Sequence, residues 1–240
     1  MRNRHLFAAL GAGLVASMLI APAHGFSLNK SIKIAAGSES GGQSSVNGSI
    51  TVGEGAVIDG SLETVNGSIR IDENVRLEDA ETVNGTIRIG SGSSTEDVSS
   101  VNGSIRLASN VTVDGAVEVV NGRISLDTGT SVDRGVSNVN GEISLSGAEV
   151  GGDLSTVNGD VTLQDGATLR GDLIVEKPGG WGWKNNNRQP KIIIGQNSKV
   201  LGDIVLEREV ELFISDSAEV GGVTGEMSLA DAVRFSGSSP

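Results

Sequence analysis

Glu63-Thr-Val-Asn-Gly-Ser-Ile-Arg-Ile71 is followed eighteen residues on by Glu81-Thr-Val-Asn-Gly-Thr-Ile-Arg-Ile89. The Val-Asn-Gly tripeptide occurs seven times in the chain. Its asparagines are Asn47, Asn66, Asn84, Asn102, Asn121, Asn140 and Asn158, spaced 18 or 19 residues apart. A degenerate copy, Leu28-Asn29-Lys30, stands 18 residues before the first. Repeats of this period are the signature of a solenoid or array.

The apolar positions keep the same beat. Four residues after each Val stands Ile50, Ile69, Ile87, Ile105, Ile124, Ile143 or Val161. Two further on stands Val52, Ile71, Ile89, Leu107, Leu126, Leu145 or Leu163. The residue between is polar: Thr51, Arg70, Arg88, Arg106, Ser125, Ser144, Thr162. Alternation with period two describes a strand with one face inside and one in water. The rest of each unit carries single aliphatics among Gly, Asp and Ser, as two further short strands with tight corners would.

One unit cannot bury its own apolar edge; stacked in parallel, the units bury a continuous column. The expected fold is therefore all-β, a single-stranded parallel β-helix (β-solenoid), right-handed, with about 18–19 residues per coil. Around ten coils at about 4.8 Å each give a rod roughly 50 Å long. Asn-Gly between apolar residues is also a hairpin signal, and an antiparallel meander is the rival fold. A meander does not require every second turn to be alike. A solenoid does, because like corners stack on like corners.

The asparagines read as a structural ladder, amide on amide along the rod. Gly after each Asn is expected to supply positive φ at the corner. Asn47, Asn66, Asn84 and Asn102 also match the glycan-acceptor pattern, a reading set aside because a packed corner needs them.

The composition agrees with a narrow aliphatic interior. Aromatics make up 2% of 240 residues, Gly numbers 35 and Cys is absent. The net charge of −12 argues against nucleic acid and anionic membranes as partners. Residues 1–23 read as a signal peptide: Arg2 and Arg4, an apolar run from Leu6 to Ile20, then Ala21-Pro22-Ala23 before His24. That implies export to the periplasm, the cell surface or the medium, with no transmembrane segment after cleavage. The solenoid is expected over 24–226, with Val-Asn-Gly repeats over 28–175, a loop at 177–190 and final coils over 191–226. Residues 227–240 would supply a C-terminal cap and tail, because an uncapped end invites polymerisation.

The loop holds both tryptophans, Trp181 and Trp183, with Lys177, Lys184 and Arg188. Trp181, Trp183, Lys184 and Arg188 form a candidate ligand-binding set, since exposed indoles stack on sugar rings or anchor partners. The bland alternative is that the rings cover a solenoid face. Arg70, Arg88 and Arg106 fall at one outward position of three consecutive coils, either a polyanion-binding stripe or a solvated charge lattice offset by Glu63 and Glu81.

Catalytic chemistry lacks its inventory. With at most His24 left after cleavage and no Cys, no Ser-His-Asp, Cys-His or His/Cys zinc arrangement is available. The acids sit at turns such as Asp72-Glu73, Glu78-Asp79 and Asp165, and the calcium-binding nonapeptide is absent. The expectation is a non-enzyme with no cofactor and no metal.

Glu63–Ile71 and Glu81–Ile89 resemble the repeats of bacterial adhesin-type β-helix domains. Ala-Thr-Leu-Arg-Gly-Asp-Leu (167–173) and Lys-Val-Leu-Gly-Asp-Ile (199–204) resemble bactofilins, polymer-forming β-helices of the bacterial cytoskeleton. The resemblance spans about 28–226 and implies a β-helix with no catalytic residues. Bactofilins are cytoplasmic or face the cytoplasm, so the export signal departs from that pattern. The expected function is an exported, non-catalytic structural or adhesive surface protein. The alternatives are a carbohydrate-binding module using the Trp loop and a bactofilin-like scaffold. Expected partners are the protein itself, end to end or laterally, or a cell-envelope glycan.

Overall fold

The computed structural model describes residues 25–179 and 188–240. The signal-peptide segment therefore lies outside the described residues. In coils such as 105–121 three short strands follow one another, elsewhere two of them merge into one longer strand or shrink to a bridge, and all strand pairings between coils are parallel. That excludes the antiparallel meander. The chain is a β-solenoid.

Among the described residues, the strands form two sheets of sixteen and eleven. The eleven-stranded sheet is the first face of the rod and holds the Ile-x-Ile strands, from Ile32–Ile34 through Ile87–Ile89 and Ile105–Leu107 to Val233–Phe235. The sixteen-stranded sheet supplies the other two faces. Short strands such as Thr112–Val113 and Ser131–Val132 make the second face. Ala80–Asn84, Val98–Asn102 and Val117–Asn121 belong to the third. Lys199–Leu206 runs across both and joins them. The loop after Val175 does not disturb the stack, because Val161 still pairs with Ile192 and Leu163 with Ile194.

Inward side chains repeat in register and form the core. Ile50, Ile69, Ile87, Ile105, Ile124 and Ile143 are fully buried in one row, each paired with the next. Burying each contributes roughly 2 kcal/mol. A narrow column needs slender aliphatics, which explains the scarcity of rings.

The three corners are solved differently. At the first, Asn Nδ2 donates to the Asn Oδ1 one coil earlier, from Asn158 to Asn140, Asn121, Asn102, Asn84, Asn66, Asn47 and finally Asn29. These bonds measure 2.8–3.1 Å. Arg208 closes the far end of the ladder, donating to Asn158 Oδ1 at 3.0 Å. The glycine after each Asn is not there for positive φ, contrary to the sequence-based expectation. Of these seven glycines only Gly122 and Gly141 have positive φ, at 159° and 130°. The constraint is space. A Cβ on Gly67, Gly85 or Gly103 would fall well inside 3.0 Å of the carbonyl oxygen of the preceding coil's glycine or, for Gly67, of Gly48.

Left-handed backbone belongs to the second corner, between the first and second faces. Asn74, Gly92, Asn110 and Gly129 take φ of 56°, 71°, 58° and 78° there. Asn and Gly tolerate that region best, so they alternate at the position. At the third corner carboxylates accept backbone N–H groups of the next coil. Asp97 N–H donates to Asp79 Oδ1 at 3.1 Å, and Ala116 N–H to Asp97 Oδ1 at 2.7 Å.

Behind the asparagines runs a second, buried row: Thr64, Thr82, Ser100, Val119, Asn138 and Thr156. Thr64 Oγ1 donates to Gly48 O at 2.9 Å and Thr82 Oγ1 to Gly67 O at 3.1 Å, which ties the corner from inside. Asn138 fills the same place with Nδ2 on Gly122 O at 2.7 Å, but its buried Oδ1 has no partner among the described residues. An unmet buried acceptor costs about 1–3 kcal/mol. Asn138→Thr, which restores the row's usual chemistry, is expected to raise stability by about 1 kcal/mol in urea titration. A loss would mean that Oδ1 is satisfied after all.

The C-terminal segment lies against the last coil. Met227 and Ala232 pack on the core, and Leu229–Asp231 form one 3₁₀ turn. Val233–Phe235 then adds the last strand of the first face, setting Arg234 opposite Ile214. No helix among the described residues is long and apolar enough to cross a membrane.

Candidate functional site

The outward row of the first face is set by the strand register. From coil to coil it reads Lys33, Thr51, Arg70, Arg88, Arg106, Ser125, Ser144, Thr162, Ile193 and Phe213. No carboxylate stands in it, although the chain has 30 acids against 18 bases. Adjacent rungs are about 4.8 Å apart, so the three guanidinium groups repel unless something offsets them. Arg70 finds Asp72 at 3.5 Å. Arg88 and Arg106 make no ion pair or side-chain hydrogen bond among the described residues.

The three arginines border an open groove of about 530 Å³ that reaches Arg123 and Asp127. Its floor is low because the position after the strand is Gly90 in one coil and Ala108 in the next. Asp72 and Glu73 mark one end and Asp127 the other. Arg123 is engaged by Glu142 at 2.8 Å.

The third face carries the opposite sign. Its outward row includes Glu63, Glu81, Ser99, Glu118, Ser137 and Ser155. Burial, with Asp97 nearby, raises the Glu118 carboxyl above its ordinary value, and burial with Asp79 nearby does the same to Glu63. In the same row the hydroxyls of Ser99 and Ser137 are buried without a partner among the described residues.

These shifts set a pH dependence. Where the folded chain holds a carboxyl above its ordinary value, ionising it lowers stability. The penalty is absent below the ordinary value near 4.5 and complete above the raised one. Glu118→Gln removes it. The variant is expected to melt above wild type at pH 7, with the gap closing toward pH 4.5. A gap that widens on acidification would reverse the sign.

Of the loop residues singled out from sequence, Trp181, Trp183 and Lys184 lie outside the described residues. Arg188 is placed: its guanidinium pairs with Asp160, which holds it more firmly protonated, and its carbonyl accepts from Arg208 at 3.3 Å. Lys177 donates its backbone N–H to Glu207 Oε2 at 3.2 Å. The asparagines singled out are occupied in the corner ladder described above. Among the described residues no three His, Cys, Asp or Glu side chains stand together as a metal site would need. Sequence reasoning missed the groove, whose signal was the small residue two places after Arg88 and Arg106.

No protein-family model matches the chain, and the comparisons with curated proteins and with solved structures found no significant match.

Proposed function

We propose that this chain is an exported, non-catalytic β-solenoid that serves as a structural or adhesive protein of the envelope or cell surface. One observation carries the reading. Every outward position recurs in register along an aliphatic column eleven strands long on its first face. Such a surface suits many weak contacts with a partner that is itself repetitive, and multivalence then multiplies affinity. The core that makes this surface is built for stacking, and its buried polar groups serve the corners.

A bactofilin-like end-to-end scaffold is the second reading. It is favoured by apolar side chains exposed at the two ends, Phe26 (62%) and Leu28 (60%) at one and Leu229 (44%) and Val233 (54%) at the other. Against it stands Arg234, which takes the place where the inward aliphatic row would continue. A charge at that point disfavours another coil.

The export half of the proposal is tested by fractionation. Expressed in a bacterium with a C-terminal tag, the protein should appear in the osmotic-shock fluid or the medium, its mass reduced by residues 1–23. Full-length protein confined to the cytoplasm would overturn export.

A further inference from the structure

We infer that the outward row of the first face binds an acidic polysaccharide lying along the rod, with Arg88 and Arg106 as the anion-binding pair. This deepens the adhesive reading, and rests on it only for where the polymer would be met.

The argument begins with what the row lacks. Seven consecutive rungs, Thr51 to Thr162, present three guanidinium groups and four hydroxyls and no carboxylate. In a chain of net charge −12, two adjacent exposed arginines would be expected to recruit acids, yet Arg88 and Arg106 form no ion pair among the described residues. Arginines do find partners elsewhere on this rod: Arg123 has Glu142, Arg170 has Glu149 and Arg188 has Asp160. Arg88 and Arg106 instead face a groove of about 530 Å³, floored by Gly90 and Ala108, with room for a group the size of a sugar ring.

A guanidinium presents a planar fork of donors that matches the two oxygens of a carboxylate or sulfate. Two such forks about 4.8 Å apart, one per coil, fit one oxyanion shared between them or two on neighbouring residues of a polymer. Beyond them Ser125, Ser144 and Thr162 offer hydroxyls at the same spacing, and none bonds another side chain among the described residues. Charge in the middle and hydroxyls along the track is the chemistry of an acidic sugar polymer. Asp72 and Glu73 at one end of the groove and Asp127 at the other confine the charged contact to two coils. Single-stranded DNA has no ring hydroxyls to meet Ser125, Ser144 and Thr162, and its phosphates would meet Asp72, Glu73, Asp127 and the acidic third face. The chain's overall negative charge repels any polyanion at long range. Contact is therefore expected at physiological ionic strength, where the Debye length is about 8 Å, and to fade well above it.

The test is affinity electrophoresis of the full exported protein with polygalacturonate, dextran sulfate, neutral dextran or single-stranded DNA as probe. The variant is Arg88→Ser with Arg106→Ser, which copies Ser125 and Ser144 of the following coils and so keeps the fold. Wild type should be retarded by the carboxylated or the sulfated polymer, and whichever acts identifies the anion. The double variant should weaken that retardation at least tenfold while its melting temperature stays within a few degrees. Equal retardation by neutral dextran, undiminished retardation of the variant, stronger retention on DNA, or no retardation by either acidic polymer would each overturn the inference. Because the assay does not depend on where the protein resides, its failure is distinct from failure of export.

Discussion

Gly103→Ala is expected to destabilise the protein by about 3 kcal/mol, the top of the range for overpacking a closed interior. The new Cβ would collide with the carbonyl oxygen of Gly85 in the coil below, and the other near neighbour is the Ser100 side chain. Relief requires separating two coils, and those coils are held by the Asn102 to Asn84 amide bond (3.1 Å) and the ladder beside it. Gly55→Ala is the matched control. That glycine also has a demanding backbone, with φ of 68°, but a Cβ there meets nothing within 4 Å. Its cost should be only the left-handed term, about 1 kcal/mol. Urea titrations of the pair decide which constraint rules the Asn-Gly corner. Equal costs would show that coil spacing there can relax.

The second large effect is in the column. Ile105 is fully buried between Ile87 and Ile124, and Ile105→Ala is expected to cost about 4 kcal/mol. Ile34 sits in the first coil, 7% exposed, with Val52 above it and no described coil below. Ile34→Ala should cost about 2 kcal/mol, near the low end of the range. The difference follows from one-dimensional stacking, in which each coil draws stability from its immediate neighbours. Similar costs at both sites would mean that something covers the first coil.

The parallel stack was legible because two signals agreed. The Ile-x-Ile strands named the inward face, and Asn-Gly recurred at a period that only stacked corners demand. The role of the glycine was misread, because positive φ is a local property while the real constraint, the carbonyl of another coil, lies 18 or 19 residues away. The buried Thr64, Thr82 and Ser100 row was visible as the residue before each Val, but a hydroxyl beside a solvated asparagine looks like surface until its carbonyl partner is seen. The second corner was harder still, since Asn74, Gly92 and Asn110 share a conformation and no single residue type. Of the candidate site, the arginine stripe followed from register alone. The groove beside it did not, because its depth depends on Gly90 and Ala108 being small in adjacent coils.

The most direct test of the rod as a discrete, laterally acting particle is light scattering with negative-stain microscopy on the purified protein. The account expects monodisperse rods roughly 50 Å long, about eleven coils at 4.8 Å each, with no growth on raising concentration. Filaments would show that coils pair across Arg234 and that the protein is a polymerising scaffold. Compact particles without an axis would contradict the stack itself.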